Sequence, residues 1–542
     1  MKVKLSISDW LGERLRLEDL PKTPRYMYRV SYWTGALVAA AFMLTVITGL
    51  LLLLYYNPSS PYDQTTYLIA QVPYGAVLLY THLYAAYAMI FLIFIHMYRN
   101  YMSGAYKKPR ELLWVIGLVM LAAVLATAFV GYSLVGDVLS VNAVDVAKGM
   151  IAVAPGGAQL SNVIFGNGTQ ISLFTRMLGW HVALVALVAM LFGFHFFLAE
   201  RYGIMPSMRS KPRAPATYTK DESRGFQPWW PRNFVYMASV VLMTWGLLFA
   251  LPNAMALINN LPSVISPMPA PSPTSPQAVN ITPYPPWFFL FFYKIADFQN
   301  LGGAPYTPLE VIAVAAMIPL AYLVLLPFLD RSRELNPFSK QRRLFTWLFA
   351  SMIIILVELS VWGFLAPGIP VSFTTQVALL LPPVAICGTA VFLIESGSTR
   401  RSIVTRPRGI ISLLVLAMLL TGTLGGMIQY PTVYTVGVVL SVMFVLLAYV
   451  RRSGVPPADG YGEDQSGGNR RANRVRLAEW LAAALLILSF AVAAALWEIP
   501  STGALEPYFG VGLGAVFLML GEVISLYHYV SMHSYGRDGI RN

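Results

Sequence analysis

Charged positions along this chain are sparse and clustered. Between the clusters lie apolar runs of about twenty residues, the length that crosses a bilayer as a helix. Cut at the charged clusters and at Pro/Gly breaks, the runs predict spans at 32–56, 75–98, 112–134, 177–199, 233–252, 307–329, 344–366, 374–395, 409–429, 433–450, 477–498 and 509–530. The expected fold is an all-α integral membrane protein with about 12 transmembrane helices. Two stretches break the pattern. Residues 262–286 (PSVISPMPAPSPTSPQAVNITPYPP) are too rich in proline to be helical, and the WFFLFFYKIADF that follows is too short to span and is expected at the membrane interface. Residues 453–470 read as a flexible linker. The expected organisation is a cytoplasmic N-terminal segment (1–30), a first helix bundle (31–232), a second group of helices (233–400) and a C-terminal four-helix extension (401–542).

The loops alternate in charge. One side receives the N-terminus, RNYMSGAYKKPRE, residues 200–232, DRSRELNPFSKQRR, STRRSIVTRPR, residues 451–476 and the C-terminus. Of 38 Lys and Arg, only Lys148, Arg176 and Lys294 fall on the other side. The positive-inside rule then puts both termini in the cytoplasm of a cell-membrane protein. It also turns the net charge of +13 into a topology signal, so no nucleic-acid partner is expected. Composition agrees: 57% of residues are hydrophobic and 12% charged, about half the charge of a soluble domain. The one cysteine, Cys387, excludes disulfide frameworks, thiolate zinc sites and cysteine-ligated iron–sulfur clusters on this chain. Residues 1–30 lack an apolar h-region, so no cleavable signal peptide is expected.

Ionisable residues inside membrane runs are costly and mark function. The second span holds His82 and His96, and the fourth holds His181 and His195, each pair fourteen apart. Fourteen residues make just under four helical turns, so the two imidazoles of one helix share a face, ~21 Å apart along the axis. Both spans run from outside to inside, which puts His82 and His181 in an outer layer and His96 and His195 in an inner one. Two facing neutral imidazoles suit the axial positions of one haem iron, and two layers would stack two haems across the bilayer. Gly35 and Gly49 in the first span, and Gly117 and Gly131 in the third, repeat the fourteen. They are expected to let a macrocycle approach the backbone at two depths. Arg99, three residues past His96, is placed to pair with an inner haem propionate. The remaining histidines, His528 and His533, are expected at the interface. Glu358 and Glu522, near the ends of later spans, are expected to pair with helix neighbours, a proton path being the alternative.

With these residues the chain resembles, over about 25–400, the cytochrome b subunit of the quinol-oxidising cytochrome bc complexes. Further matches are SGAYKKPRELLW, FVGYSL, Thr175-Arg176 before His181, FQPWW, PPWFFLFFY followed by LGG, and LPFLDRS. The resemblance implies a four-helix di-haem bundle, with haem b as the default and an a-type haem presenting the same axial positions. It implies a quinol site near the outer haem, a quinone site near the inner one, and proton translocation. Electrons would divide between a Rieske iron–sulfur partner and the two haems. The outer quinol site would lie between Gly131, Tyr132 and the segment Pro285, Pro286, Trp287 and Phe288. The inner one would be lined by the N-terminal segment, Arg201 and the QPWW stretch. Arg176 is carried over as a cofactor-binding residue. Long chains with extra helices resemble archaeal respiratory assemblies, where the subunit sits beside terminal oxidase subunits. A homodimer is a further expectation.

The departures from that pattern fall on the outer site. The family's Pro-Glu-Trp-Tyr reads Pro-Pro-Trp-Phe here, so Pro286 cannot accept a proton and Phe288 has no hydroxyl. Quinol loses two protons on oxidation, and Asp137 is the first candidate to take one, with Asp297 second. The family's Pro-Trp after the third span is Val135-Gly136, its arginine three residues before the first ligand is Leu79, and its inner-site acid is missing near Arg232 and Asn233. Two other readings compete. One is a di-haem, quinone-reactive anchor of another oxidoreductase or terminal oxidase assembly, without a Rieske partner. The other is a 12-helix secondary transporter, which should show an internal repeat; none is found.

Overall fold

The computed structural model describes residues 14–16, 20–168, 171–208, 210–259, 261–393 and 468–534, and the regular elements among them are helices. In chain order they are α1 (Thr34–Leu53), the short α2 (Pro61–Gln71), α3 (Gly75–Ser103), α4 (Glu111–Ser133), α5 (Val138–Ala152), α6 (Gly157–Ile164), α7 (Leu173–Tyr202), α8 (Phe234–Ala256), α9 (Leu290–Ala296), α10 (Pro308–Leu329), α11 (Arg343–Leu365), α12 (Phe373–Leu393), α13 (Gly468–Ala495) and α14 (Glu506–Ser534). All but α2, α5, α6 and α9 are long and apolar enough to cross a membrane, ten candidate spans among the described residues. The chain is a multi-pass membrane protein. The predicted spans 409–429 and 433–450 lie outside the described residues. Of the predicted linker, residues 453–467 lie outside the described residues, and 468–470 open α13. The outer connection 135–176, expected as a loop, carries α5 and α6, which are too short to register as spans.

α1 packs along α3 and α4 along α7, and α8 closes against α1 and α3. Between them Ala41, Leu44, Ala85, Met89, Ile90, Val124, Val188, Leu248 and Phe249 form one buried apolar layer, with Phe288 from the segment before α9. At its C-terminal end α3 stops at Gly104, whose φ of +74° suits glycine, and a Cβ there would stand 2.8 Å from Leu335. An ionic clasp follows. Asp330 accepts from Tyr106, pairs with Lys107 Nζ at 2.8 Å, and lies 3.4 Å from Arg342 Nε. Arg342 Nη2 also donates to the Tyr101 carbonyl at 3.0 Å, tying α11 to α3. These charges are buried, so each is costly unless paired, and they are paired with one another.

The C-terminal extension does not stand apart. α14 lies along α8 through glycines that bring the backbones together: a Cβ on Gly514 would be 2.5 Å from the Gly246 carbonyl, and one on Gly510 would meet Asn253. At the outer end the buried Glu506 accepts from the backbone N–H of Val77 at 3.0 Å, so α14 caps the N-terminus of α3. At the inner end His528 is buried against Tyr28 and Tyr236, with ring centres 4.8 and 5.4 Å away. α14 brings it under the N-terminal segment, where Arg25 Nη2 holds the Met532 carbonyl at 2.6 Å.

Candidate functional site

α3 and α7 run parallel and present their histidines to each other in two layers. In the outer layer the His82 and His181 ring centres are 6.4 Å apart. That is roughly the separation of two imidazoles bonded at about 2 Å to a single metal ion between them. In the inner layer His96 and His195 are electrostatic neighbours.

Three of the four rings have a hydrogen-bond partner at Nδ1. His82 Nδ1 donates to the Thr45 carbonyl at 3.0 Å and lies 3.1 Å from Thr48 Oγ1. His181 Nδ1 donates to the Thr127 carbonyl at 3.1 Å. A carbonyl only accepts, so in both rings the proton is on Nδ1 and the lone pair on Nε2. His96 Nδ1 is 2.9 Å from Thr34 Oγ1. His195 Nδ1 faces the Leu113 carbonyl without reaching hydrogen-bond geometry. Such a partner on the second nitrogen fixes ring angle and tautomer for a metal ligand. The sequence reading missed Thr34 and Thr48, although the signal is plain: Thr-Gly recurs at 34–35 and 48–49, again fourteen apart. The carbonyls of Leu113 and Thr127 keep the same interval on α4.

The four glycines face the four imidazoles one to one. A Cβ would stand 2.9 Å from His82 Cε1 at Gly49, 2.6 Å from His181 Cε1 at Gly131, 3.2 Å from His96 Cε1 at Gly35 and 3.3 Å from His195 Cε1 at Gly117. What each glycine makes room for here is a histidine ring.

A cavity of about 290 Å³ opens at the outer layer, lined by His82, His181, Gly49 and Gly131, by Tyr132 and Asp137, and by Phe288. A second, of about 430 Å³, lies beside it, between α4, α5, α6, α7 and the Pro285–Pro286 segment. The expected outer quinol site is thus divided. Gly131, Tyr132 and Phe288 face the first cavity, Pro285 and Pro286 the second, and Trp287 packs on Phe91 and Tyr87. Tyr293, which the sequence reading passed over, also lines the second cavity; burial raises its phenol above the ordinary value.

Asp137 is only 3% exposed and caps α5. Its Oδ1 accepts from Ser140 N and its Oδ2 from Ala270 N, both at 2.8 Å, which ties the Pro-rich connection to the bundle. Asp297 pairs with the buried Lys294 at 3.1 Å and lines neither cavity. Arg99 lies over the Tyr32 ring, and Arg176 Nη1 donates to the Val163 carbonyl at 3.3 Å. Glu358 was expected to pair with a helix neighbour. It is 1% exposed, and among the described residues neither of its oxygens has a hydrogen-bond partner.

Residues 87–273 match the family described as cytochrome b (N-terminal)/b6/petB, and residues 273–382 match cytochrome b (C-terminal)/b6/petD. A protein of Sulfolobus acidocaldarius described as cytochrome b is 43% identical over 97% of this chain and 98% of its own length. The chain belongs to the cytochrome b family. The Sulfolobus alignment covers the C-terminal extension as well. A cytochrome bc complex cytochrome b subunit of Chlorobaculum thiosulfatiphilum is 31% identical over 60% of this chain and 74% of its own. A chain of a solved hyperthermophilic respiratory complex III shares the fold, with a TM-score of 0.52 and 24% identity over 71% of this chain and 97% of that one. Membership of a cytochrome b family implies haems and removes the transporter alternative. The histidines fit that cofactor: His82 and His181 face each other with their Nδ1 protons held by backbone carbonyls, which leaves the Nε2 lone pairs for a metal.

Proposed function

We propose that this chain is the membrane electron-carrying subunit of a quinol-oxidising respiratory complex of the bc type. His82 and His181 would hold the outer haem iron and His96 and His195 the inner one, with haem b the default and an a-type haem served equally by these ligands. What carries the reading is the outer cavity, bounded by two imidazoles 6.4 Å apart whose Nδ1 protons are committed to backbone carbonyls. When bound, the two haems supply one-electron transfer across the membrane. The protein's part is to hold the imidazoles neutral and aligned, to clear space with the four glycines, and to keep water out. Arg99 and Arg176, at the inner and outer ends, are the guanidinium groups available for propionates.

Quinol would occupy the second cavity, whose lining is apolar apart from Tyr293 and Trp180, and Trp180 Nε1 is committed to the Ile164 carbonyl. The electron acceptor outside the chain would be a Rieske protein, with terminal oxidase subunits and a second copy of the chain as further partners. The loop charges put both termini in the cytoplasm. Inner quinone would meet the N-terminal segment, Arg201 and the QPWW stretch. One observation favours a second reading, a di-haem anchor without a Rieske partner: no carboxylate lines the second cavity to take the quinol proton. Asp137 is the remaining candidate, in the neighbouring cavity.

Pyridine haemochrome analysis and a reduced-minus-oxidised spectrum of the purified chain test the proposal. Two haems are expected, reduced to one by His181→Ala or His195→Ala; a chain without haem ends the reading. Quinol-driven reduction of an added Rieske protein separates the first reading from the second. Asp137→Asn should slow that reaction at least tenfold if Asp137 takes the proton, whereas unchanged turnover leaves it as a cap alone.

A further inference from the structure

The two layers share a fourteen-residue plan, and one polar residue breaks it. One helical turn beyond each histidine stand Ala86, Asn100, Val185 and Ala199. Three cannot touch an imidazole with a polar atom. Asn100 does: its Nδ2 is 2.9 Å from His96 Nε2. An amide nitrogen only donates, so His96 Nε2 is the acceptor, and the ring's proton is on Nδ1 toward Thr34 Oγ1 at 2.9 Å. The lone pair that accepts this bond is the one that would bind iron, and it serves one partner at a time. The carboxamide is held from its other end, where Oδ1 accepts from Arg99 Nη1 at 3.3 Å and the Arg99 guanidinium lies over Tyr32. The competing donor is therefore fixed in place by the N-terminal segment.

Resting on the di-haem reading above, we propose that Asn100 is a positioning residue that competes with iron for the His96 lone pair. It makes the inner site bind its haem more weakly than the two imidazoles would on their own. The outer site has no such competitor. One neutral hydrogen bond is worth about fivefold in an equilibrium constant, which is the size of the effect.

The test is haem partition at equilibrium. Apomyoglobin is titrated against the purified full-length chain loaded with haem b, and the haem remaining is read by absorbance. His181→Ala chains report the inner site, and His195→Ala chains the outer one. In the His181→Ala background, Asn100→Ala should raise the apomyoglobin needed to strip half the haem about fivefold. Asn100→Leu, which keeps the bulk and cannot donate, should do the same. Neither should change the outer site in the His195→Ala background. A residue that merely supported the helix would give weaker binding when removed, so a loss or no change at the inner site in both variants overturns the inference. An equal gain at both sites overturns it as well. A wild-type chain that binds no haem overturns the di-haem reading and this inference with it. Two bound haems without the inner gain overturn this inference alone.

Discussion

At the outer layer the fit around the imidazoles is tight: a Cβ on Gly49 or Gly131 would come within 2.9 or 2.6 Å of a ring. The inner layer leaves 3.2 and 3.3 Å at Gly35 and Gly117. The hydrogen bonds differ in the same sense. Both outer rings donate to backbone carbonyls that a helix holds rigidly, whereas His96 relies on two side chains, Thr34 and Asn100, and His195 Nδ1 has no partner. Anchorage differs too. Asp137 ties the outer side by capping α5 and holding the Pro-rich connection, while Asp330 ties the inner side through a clasp of buried charges. A common helical ruler has been filled with two different environments. Two chemically alike histidine pairs therefore have different surroundings.

The largest effect that would sharpen this contrast is at Gly131. Gly131→Ala puts a methyl 2.6 Å from His181 Cε1, and the ring must move, so the outer haem should be lost while the inner stays. Gly35→Ala, at 3.2 Å, should leave the inner haem in place with a shifted spectrum. Haem stoichiometry of the two purified variants checks this. Equal loss in both would mean that the layers are equally tight.

The next effect is on the clasp. Asp330→Asn leaves Lys107 and Arg342 buried with no counter-charge, which should cost about 3–5 kcal/mol of stability in a detergent melting experiment. Burial alone would raise the Asp330 carboxyl, but hydrogen bonds from Lys107, Tyr106 and Ser332 outweigh it and hold it below the ordinary range. Its stabilisation is then fully present above the unfolded value of about 3.9 and is lost as pH falls through the folded value. The wild-type melting temperature should drop below about pH 4, and the variant should lack that part of the drop.

The smallest effect separates the two threonines. Among the described residues Thr34 is the one hydrogen-bond partner of His96 Nδ1, so Thr34→Ala should weaken inner haem binding about 10–100-fold. His82 keeps the Thr45 carbonyl when Thr48 is lost, so Thr48→Ala should weaken the outer site by much less. Haem partition in single-site chains measures both.

The four paired histidines, the glycines facing them and most spans were legible because a helix repeats every 3.6 residues and the interval of fourteen survives on paper. The Thr-Gly repeat was equally legible and was overlooked because threonine in an apolar run reads as neutral. Asn100 was legible as a residue but not as a partner, since an asparagine beside Arg99 looks like the polar end of a span. The two outer cavities were only half legible: Pro285, Pro286, Trp287 and Phe288 are neighbours in sequence, yet the turn before α9 sends them to different surroundings.

By itself the sequence determined what short-range periodicity determines: membrane helices from runs of about twenty apolar residues, two layers from the spacing of four histidines, and room for them from the spacing of four glycines. Only the tertiary structure decided what depends on contacts between distant segments. It placed α14 along α8 and capped α3 with Glu506, 429 residues away. It buried His528 under the N-terminal segment, committed both Asp137 oxygens to backbone amides, and set Asn100 against His96 alone among the four paired histidines. The physical reason is that helical phase is a local property, whereas the partner of a buried polar group is chosen by whichever segment packs against it.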